Sequence, residues 1–482
     1  MGNSKISTGS FVGSILKFSV SSWVNFVIGI IAVIVTTRLF TPDIYGMINI
    51  FNNASSLVAC FACLGMDGAF LRFFNEPPKG WDRKQLFAKC VSFSALALFI
   101  IMAVSLYFYY SQISLLLFNR ASLILSAFLG MNSLSLLVLN NYYSQYYRLE
   151  NDVFHYTIQS VLVQFFSKLF VIVAAVVSPS IETVLFFNTV GLFFLMIAYS
   201  CIQRRLVWPD RFHWSNKGFG EMFKYGLFGW PLTMAYSASG FLIPFIIKSE
   251  VGSYALGIYA STGFFISAFN VIQNGFRTYW ASFMYARYKD EQERIASVHN
   301  YIILFALILL TGFIVFQKVA YMLIGTEFQS SRAFFSIVLL DPLLLLVEQT
   351  TNYGMALAKR NQEMTAIYLF VILSNLLLCY YLLPLWGLPG VAAAAAIAAL
   401  TRFALSTWRG QRYYKSVVNI RQTMMGVAAI IVLGTSNFFL SHNLYQELLV
   451  VVFIWCVIFC FFKSTIISLY CFLKNILRRR EK

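Results

Sequence analysis

Long apolar runs separated by short polar connections dominate the chain. Fourteen runs are each about 20 residues or slightly more, the length a helix needs to cross a hydrocarbon core about 30 Å thick at 1.5 Å per residue. They lie near 15–37, 46–70, 88–110, 115–139, 154–177, 182–202, 222–247, 256–280, 299–320, 333–357, 364–384, 389–408, 420–440 and 446–472, and are called spans 1 to 14 below. The longest connection, "QRRLVWPDRFHWSNKGFGEM", follows span 6, and none is large enough to fold alone. The first run has no small-residue cleavage site and reads as a first spanning helix rather than a signal peptide.

Composition agrees with the pattern. Of 482 residues, 59% are hydrophobic and 11% charged, against about 45–50% and about 25% in a soluble domain. Mean hydropathy is +0.72. A soluble fold of this composition would lack a polar skin, so the expected class is an all-α polytopic membrane protein of about 14 transmembrane helices.

The net charge of +17 changes the picture only through its placement. A soluble protein with this excess would suggest nucleic acid. Here, with the N-terminus placed inside, 27 of the basic residues fall in inner segments and 5 in outer ones. The bias follows the positive-inside rule and puts both termini in the cytoplasm, which an even number of spans allows.

Span 2 opens with "DIYGMINIF" and span 8 with "YALGIYAST", each with an aromatic and a glycine at the same point of re-entry. With the long loop after span 6, this suggests two parallel six-helix halves, a common transporter plan. The expected organisation is an N-terminal lobe over 1–205, a cytoplasmic inter-lobe loop over 206–218 and a C-terminal lobe over 219–415. Spans 13 and 14 with a basic tail occupy 416–482.

Three stretches resemble one family. They are "TTRLFTPDIYGMINIFNNASSLVACFACLGMDGAFLRFF", "GSYALGIYASTGFFISAFNVIQNGFRTYWASFMYARY" and "LLPLWGLPGVAAAAAIAALTRFAL". Their order and spacing, over roughly 10–415, are similar to the polysaccharide-biosynthesis (Wzx-type, O-antigen) flippases. These belong to the multidrug/oligosaccharidyl-lipid/polysaccharide exporter superfamily. The resemblance implies a V-shaped, two-lobed fold that moves an undecaprenyl-pyrophosphate-linked oligosaccharide across a bacterial plasma membrane by alternating access. It also implies membrane lipid, polysaccharide polymerase and chain-length machinery as partners, with no cofactor and no nucleic acid. The family's acidic-basic pair after span 7 is matched only loosely, by Lys248 and Glu250 in "IKSEVGSYALG".

Ionisable groups inside spans are the candidate site residues, because each costs at least about 2.5–3.5 kcal/mol at the bilayer centre and therefore faces the protein interior or a water-filled cavity. Lys168 lies mid-span in "QFFSKLFVIVAAVV". It reads either as half of a buried pair or as a cavity cation that offsets the charge of a pyrophosphate. Arg277 and Arg402 could act similarly, arginine suiting bidentate phosphate contact, or could snorkel from inner ends. Arg72 ends span 2 and reaches the headgroups or the cavity. Asp67, five residues deeper and about 140° around a helix from Arg72, faces a cavity or a base on another helix. Asp341 and Glu348 share one face of span 10 beside Pro342, which can kink the helix. They could bind a coupling proton or sodium, or pair with Lys168 or Arg402. Lys463 belongs to the added spans and is left out.

Other chemistry finds little support. Cys60 and Cys63 form a C-x-x-C without a second pair or a histidine cluster, so the cysteines read as buried free thiols. Tyr142, Tyr143, Tyr146 and Tyr147 read as interfacial anchors, or as a surface for sugar stacking. His155, His213, His299 and His442 lie at span ends or in loops, which argues against a membrane acyltransferase, and no large outer loop suggests a polymerase. The chain is therefore expected not to be an enzyme, and no metal site is expected. The alternative to a flippase is a cation-coupled small-molecule or drug exporter of the related branch, which would favour acids over bases in its cavity.

Overall fold

A computed structural model describes residues 8–210, 218–440 and 444–480. Most of the 206–218 loop, with His213, and also His442 and the extreme ends of the chain fall outside these, as does the side chain of Cys471. Helix follows helix throughout, with no strand among the described residues. Thirteen helices are long and apolar enough to cross a membrane, and a bent pair, Thr326–Ala333 with Phe335–Glu348, brings the number to 14. All fourteen expected spans are found. Span 4 begins later than expected, at Leu123, because the chain turns at Asn119 in the left-handed region (φ 58°), and the segment Tyr110–Phe118 extends span 3 instead.

The chain forms two compact units, Met1–Ser261 and Thr262–Lys482. Span 2 is the hub of the first. Its helix Pro42–Cys63 packs on spans 3, 4, 6 and 7 and on the first helix of span 8, Ser253–Ser261. Span 1 lies along span 5. The two stretches singled out as equivalents lie against each other: a Cβ on Gly46 would collide with the Ser253 carbonyl, and one on Gly257 with the Pro42 carbonyl. Only glycine admits backbones this close. At the other end of span 2, Gly65 and Gly226 of span 7 make a second such crossing.

Span 2 breaks at Leu64 and Gly65, both left-handed (φ 45° and 77°), and restarts as Met66–Phe73. Asp67 thus sits in the first turn of a new helix, where unpaired N–H groups favour a carboxylate. Arg72 is exposed and pairs at 3.1 Å with Glu76.

The tyrosine cluster corrects the expectation of interfacial anchors. A π-helical segment, Leu137–Tyr143, adds a residue to the turn of span 4. Tyr142, Tyr143, Tyr146 and Tyr147 are all buried, in an aromatic core with Phe70, Phe74 and Phe87. Their hydroxyls find partners: Tyr142 with Ser94 at 2.7 Å, Tyr147 accepting from Tyr199 at 3.2 Å, and Tyr143 accepting from the Trp208 indole at 2.9 Å. The cysteines are free, but not all are buried: Cys63, Cys90 and Cys379 are, whereas Cys201, Cys456 and Cys460 are exposed.

In the second unit, spans 11 and 12 pack along each other, and span 9 packs on span 13, which carries span 14. Polar side chains tie the added spans in place. His299 of span 9 is buried between the Thr350 and Thr423 hydroxyls, at 2.6 and 2.9 Å. The Thr350 hydroxyl donates to the Val347 carbonyl, so Nδ1 of His299 donates to Thr350 and Nε2 accepts from Thr423. Towards the other end of span 9, Gln317 donates to Asn437 and Glu447 and accepts from Arg332.

The glycine crossing gives a direct check. Gly257→Val should destabilise the protein by about 1–3 kcal/mol or more through overpacking against the Pro42 carbonyl, read as a lower melting temperature in detergent. An unchanged melting temperature would contradict the close approach of spans 2 and 8.

Candidate functional site

Lys168 sits on the helix Val153–Val177, nine residues from its end, or about 14 Å by helical rise. Its ammonium has no hydrogen-bond or ion-pair partner among the described residues. It lines a cavity of about 110 Å³ bounded by spans 1, 2 and 5. Thr36 comes from span 1, Tyr45, Asn49 and Asn52 from span 2, and Ser167 from span 5. The lining holds hydroxyls, amides and one ammonium, and no carboxylate.

Helical spacing explains how these groups converge. Ser160, Gln164, Ser167 and Lys168 fall at i, i+4, i+7 and i+8, on one face of span 5. Asn25 of span 1 donates to Ser160 at 2.7 Å, and Asn53 donates to Asn49 at 3.0 Å. The polar stripe of span 5 and the asparagines of span 2 were not among the expected site residues. Their signal was their spacing within otherwise apolar runs, which charge alone does not pick out.

The other candidates fall into separate places. Arg402 Nε lies 2.9 Å from Glu348, and its Nη2 lies 2.9 Å from Asp341. Glu348 is completely buried and also accepts from the Tyr368 hydroxyl at 2.9 Å. The two acids of span 10 thus meet on one face and clamp the same guanidinium. Pro342 stands in the first turn of the helix Leu340–Glu348, where its missing N–H costs nothing. The 64° bend of span 10 lies elsewhere, at Phe334 between its two segments. Arg277 is exposed on span 8 and makes no ion pair among the described residues. Asp67 and Arg72 stand apart from the Lys168 cavity lining. Lys248, on which the sequence placed no function, is buried and donates to the Leu116 carbonyl and to Asn119 at 2.6 and 3.0 Å, holding span 7 to the turn after span 3. No group of three or more histidine, cysteine or acidic side chains suited to a metal occurs among the described residues.

The clamp yields a prediction. Glu348→Ala should cost about 3–5 kcal/mol, because it strands a buried guanidinium. Asp341→Ala should cost much less, since the Asp341 side chain is 44% exposed. Melting curves of the two variants test the order; a larger loss for Asp341→Ala would contradict the geometry.

Solved structures share this fold at low identity. The lipid II flippase MurJ, in an inward closed conformation, matches with a TM-score of 0.71 and 13% identity, over 93% of this chain and 99% of that one. An inward-facing multidrug resistance MATE family transporter of the MOP superfamily matches at 0.57 and 14%, over 81% and 94%. The MATE multidrug transporter DinF-BH matches at 0.57 and 14%, over 85% and 97%. No curated protein matches the sequence. A family model described as polysaccharide biosynthesis protein matches residues 35–332, more than half of the chain, and the chain therefore belongs to that family, with the fold of MOP-superfamily transporters.

Proposed function

We propose that the protein is a flippase for an undecaprenyl-pyrophosphate-linked oligosaccharide, a polysaccharide repeat unit. The observation that carries this reading is the Lys168 cavity: an unpaired ammonium deep in the membrane, ringed by hydroxyls and amides and free of carboxylates. A drug exporter for organic cations would need acids there. A pyrophosphate needs a fixed cation and hydrogen-bond donors to replace its water. The cavity volume, about 110 Å³, equals the liquid volume of roughly four waters at about 30 Å³ each. It suits a phosphate group rather than a whole oligosaccharide, so the sugars lie outside it.

In this reading both termini and the basic loops are cytoplasmic, in a bacterial plasma membrane. Two lobes, 1–205 and 219–415, alternate access, and the lipid tail stays in the bilayer. Lys168 receives the pyrophosphate, and exposed Arg277 is the second cation available to it. Arg402 is held by Asp341 and Glu348, which supports charge pairing rather than ion coupling for these acids. Arg72, paired with Glu76, would meet substrate only at entry.

The test is complementation of a host that lacks its own polysaccharide flippase, with membrane levels of each variant checked. Lys168→Ala should lower surface polymer about tenfold or more, since a hydrogen bond to a charged group contributes about 1.5–3 kcal/mol. Lys168→Arg should retain part of it. Normal polymer from Lys168→Ala at normal membrane level would remove Lys168 from the substrate site.

A further inference from the structure

Three spans of the first unit turn matching faces toward one long groove. From span 3 come Val91, Ala95, Leu98, Met102 and Leu106, a stripe repeating every three or four residues. Span 4 contributes Ala127, Gly130, Leu134 and Val138, and span 6 contributes Phe193, Met196 and Ile197. The groove consists of two hollows, of about 290 and 560 Å³, that share Leu134. The stripe from Val91 to Leu106 rises about 22 Å. That exceeds the depth of one leaflet, about 15 Å, half of the hydrocarbon core. The small side chains of Ala95, Ala127 and Gly130 hollow it out.

The groove changes character at the end where the basic loops lie. Ser92, Ser200, Arg204 and Trp208 line it there. Arg204 is exposed, and its side chain has no hydrogen-bond or ion-pair partner among the described residues. Lys84 donates to the Arg205 carbonyl at 2.7 Å, which brings a second cation beside this mouth. Trp208 is fixed by its bond to Tyr143. Asp210, two residues on, is the nearby acid in sequence, set against Lys84, Arg204 and Arg205. A long apolar channel, then two hydroxyls, then unpaired guanidinium charge is the order of groups along one acyl chain and phosphate of a phospholipid.

We propose that this groove binds one acyl chain of an anionic glycerophospholipid from the leaflet on the basic-loop side, with its phosphate at Arg204, Ser200 and Ser92. The site is separate from the Lys168 cavity and does not depend on the identity of the transported substrate. It takes charge complementarity from the basic mouth and length from the three helical stripes.

The experiment measures lipid retained by the purified full-length protein after detergent exchange, by native mass spectrometry, with phosphatidylglycerol and phosphatidylcholine offered in equal amounts. The wild-type protein should keep phosphatidylglycerol preferentially. Arg204→Ala should weaken that preference about fivefold, the effect of one basic residue near an anionic headgroup. Leu134→Trp, placed where the two hollows join, should lower retention of both lipids. If Leu134→Trp fails to fold, Ala103→Trp blocks the channel from the rim. Equal retention of both lipids by the wild type, or unchanged preference in Arg204→Ala, would overturn the proposal as annular lipid only. Displacement of retained lipid by a polyprenyl phosphate but not by added phosphatidylglycerol would also overturn it, assigning the groove to the substrate tail.

Discussion

A polar group inside hydrocarbon must find its partner within the protein, because no water is at hand to supply one. Much of this structure answers that demand. Arg402 exists in its span because Asp341 and Glu348 stand on the facing helix. His299 is buried because two threonine hydroxyls meet its two nitrogens. Lys248 ends on a carbonyl and an amide, and Tyr142 on a serine. These contacts join helices that apolar packing alone would leave free to slide, since lipid tails solvate leucine as well as another helix does. Close glycine crossings supply the rest, letting spans 7 and 8 meet span 2 at backbone distance.

Lys168 departs from this rule, and that departure supports its proposed role. Its ammonium is surrounded by groups that would serve a ligand, yet none of them bonds to it. The contrast with Arg402 is one of charge: a clamped arginine with two acids leaves a net negative centre, whereas Lys168 leaves a positive one. An anionic headgroup is drawn to the second and repelled by the first.

The spans were legible because a 20-residue apolar run has few other fates, and the shared face of Asp341 and Glu348 followed from helical period alone. What pairs with what was not legible, since one sequence carries no record of which helix lies beside which. Asp67 and Arg72 illustrate the limit. Their 140° separation assumed a continuous helix, but two consecutive left-handed residues, one of them the unremarkable Leu64, break it. The tyrosines were misplaced for a related reason. Their spacing fits an interfacial belt on a regular helix, and the π segment before them turns them inward. Pro342 drew attention as a kink, yet a helix start absorbs it without one.

That π segment has a consequence for how span 4 can vary in length. Its seven residues do the axial work of fewer, so the helix carries one surplus position. Removing a single residue there would not shorten a loop; it would restore a regular helix and rotate everything beyond it by about 100°. The face now carrying tyrosines into the aromatic core would swing toward lipid, and Trp208 would lose the hydroxyl that anchors it. Insertions and deletions in this span are therefore constrained as tightly as in a β-strand, where one residue of slip turns a buried face outward.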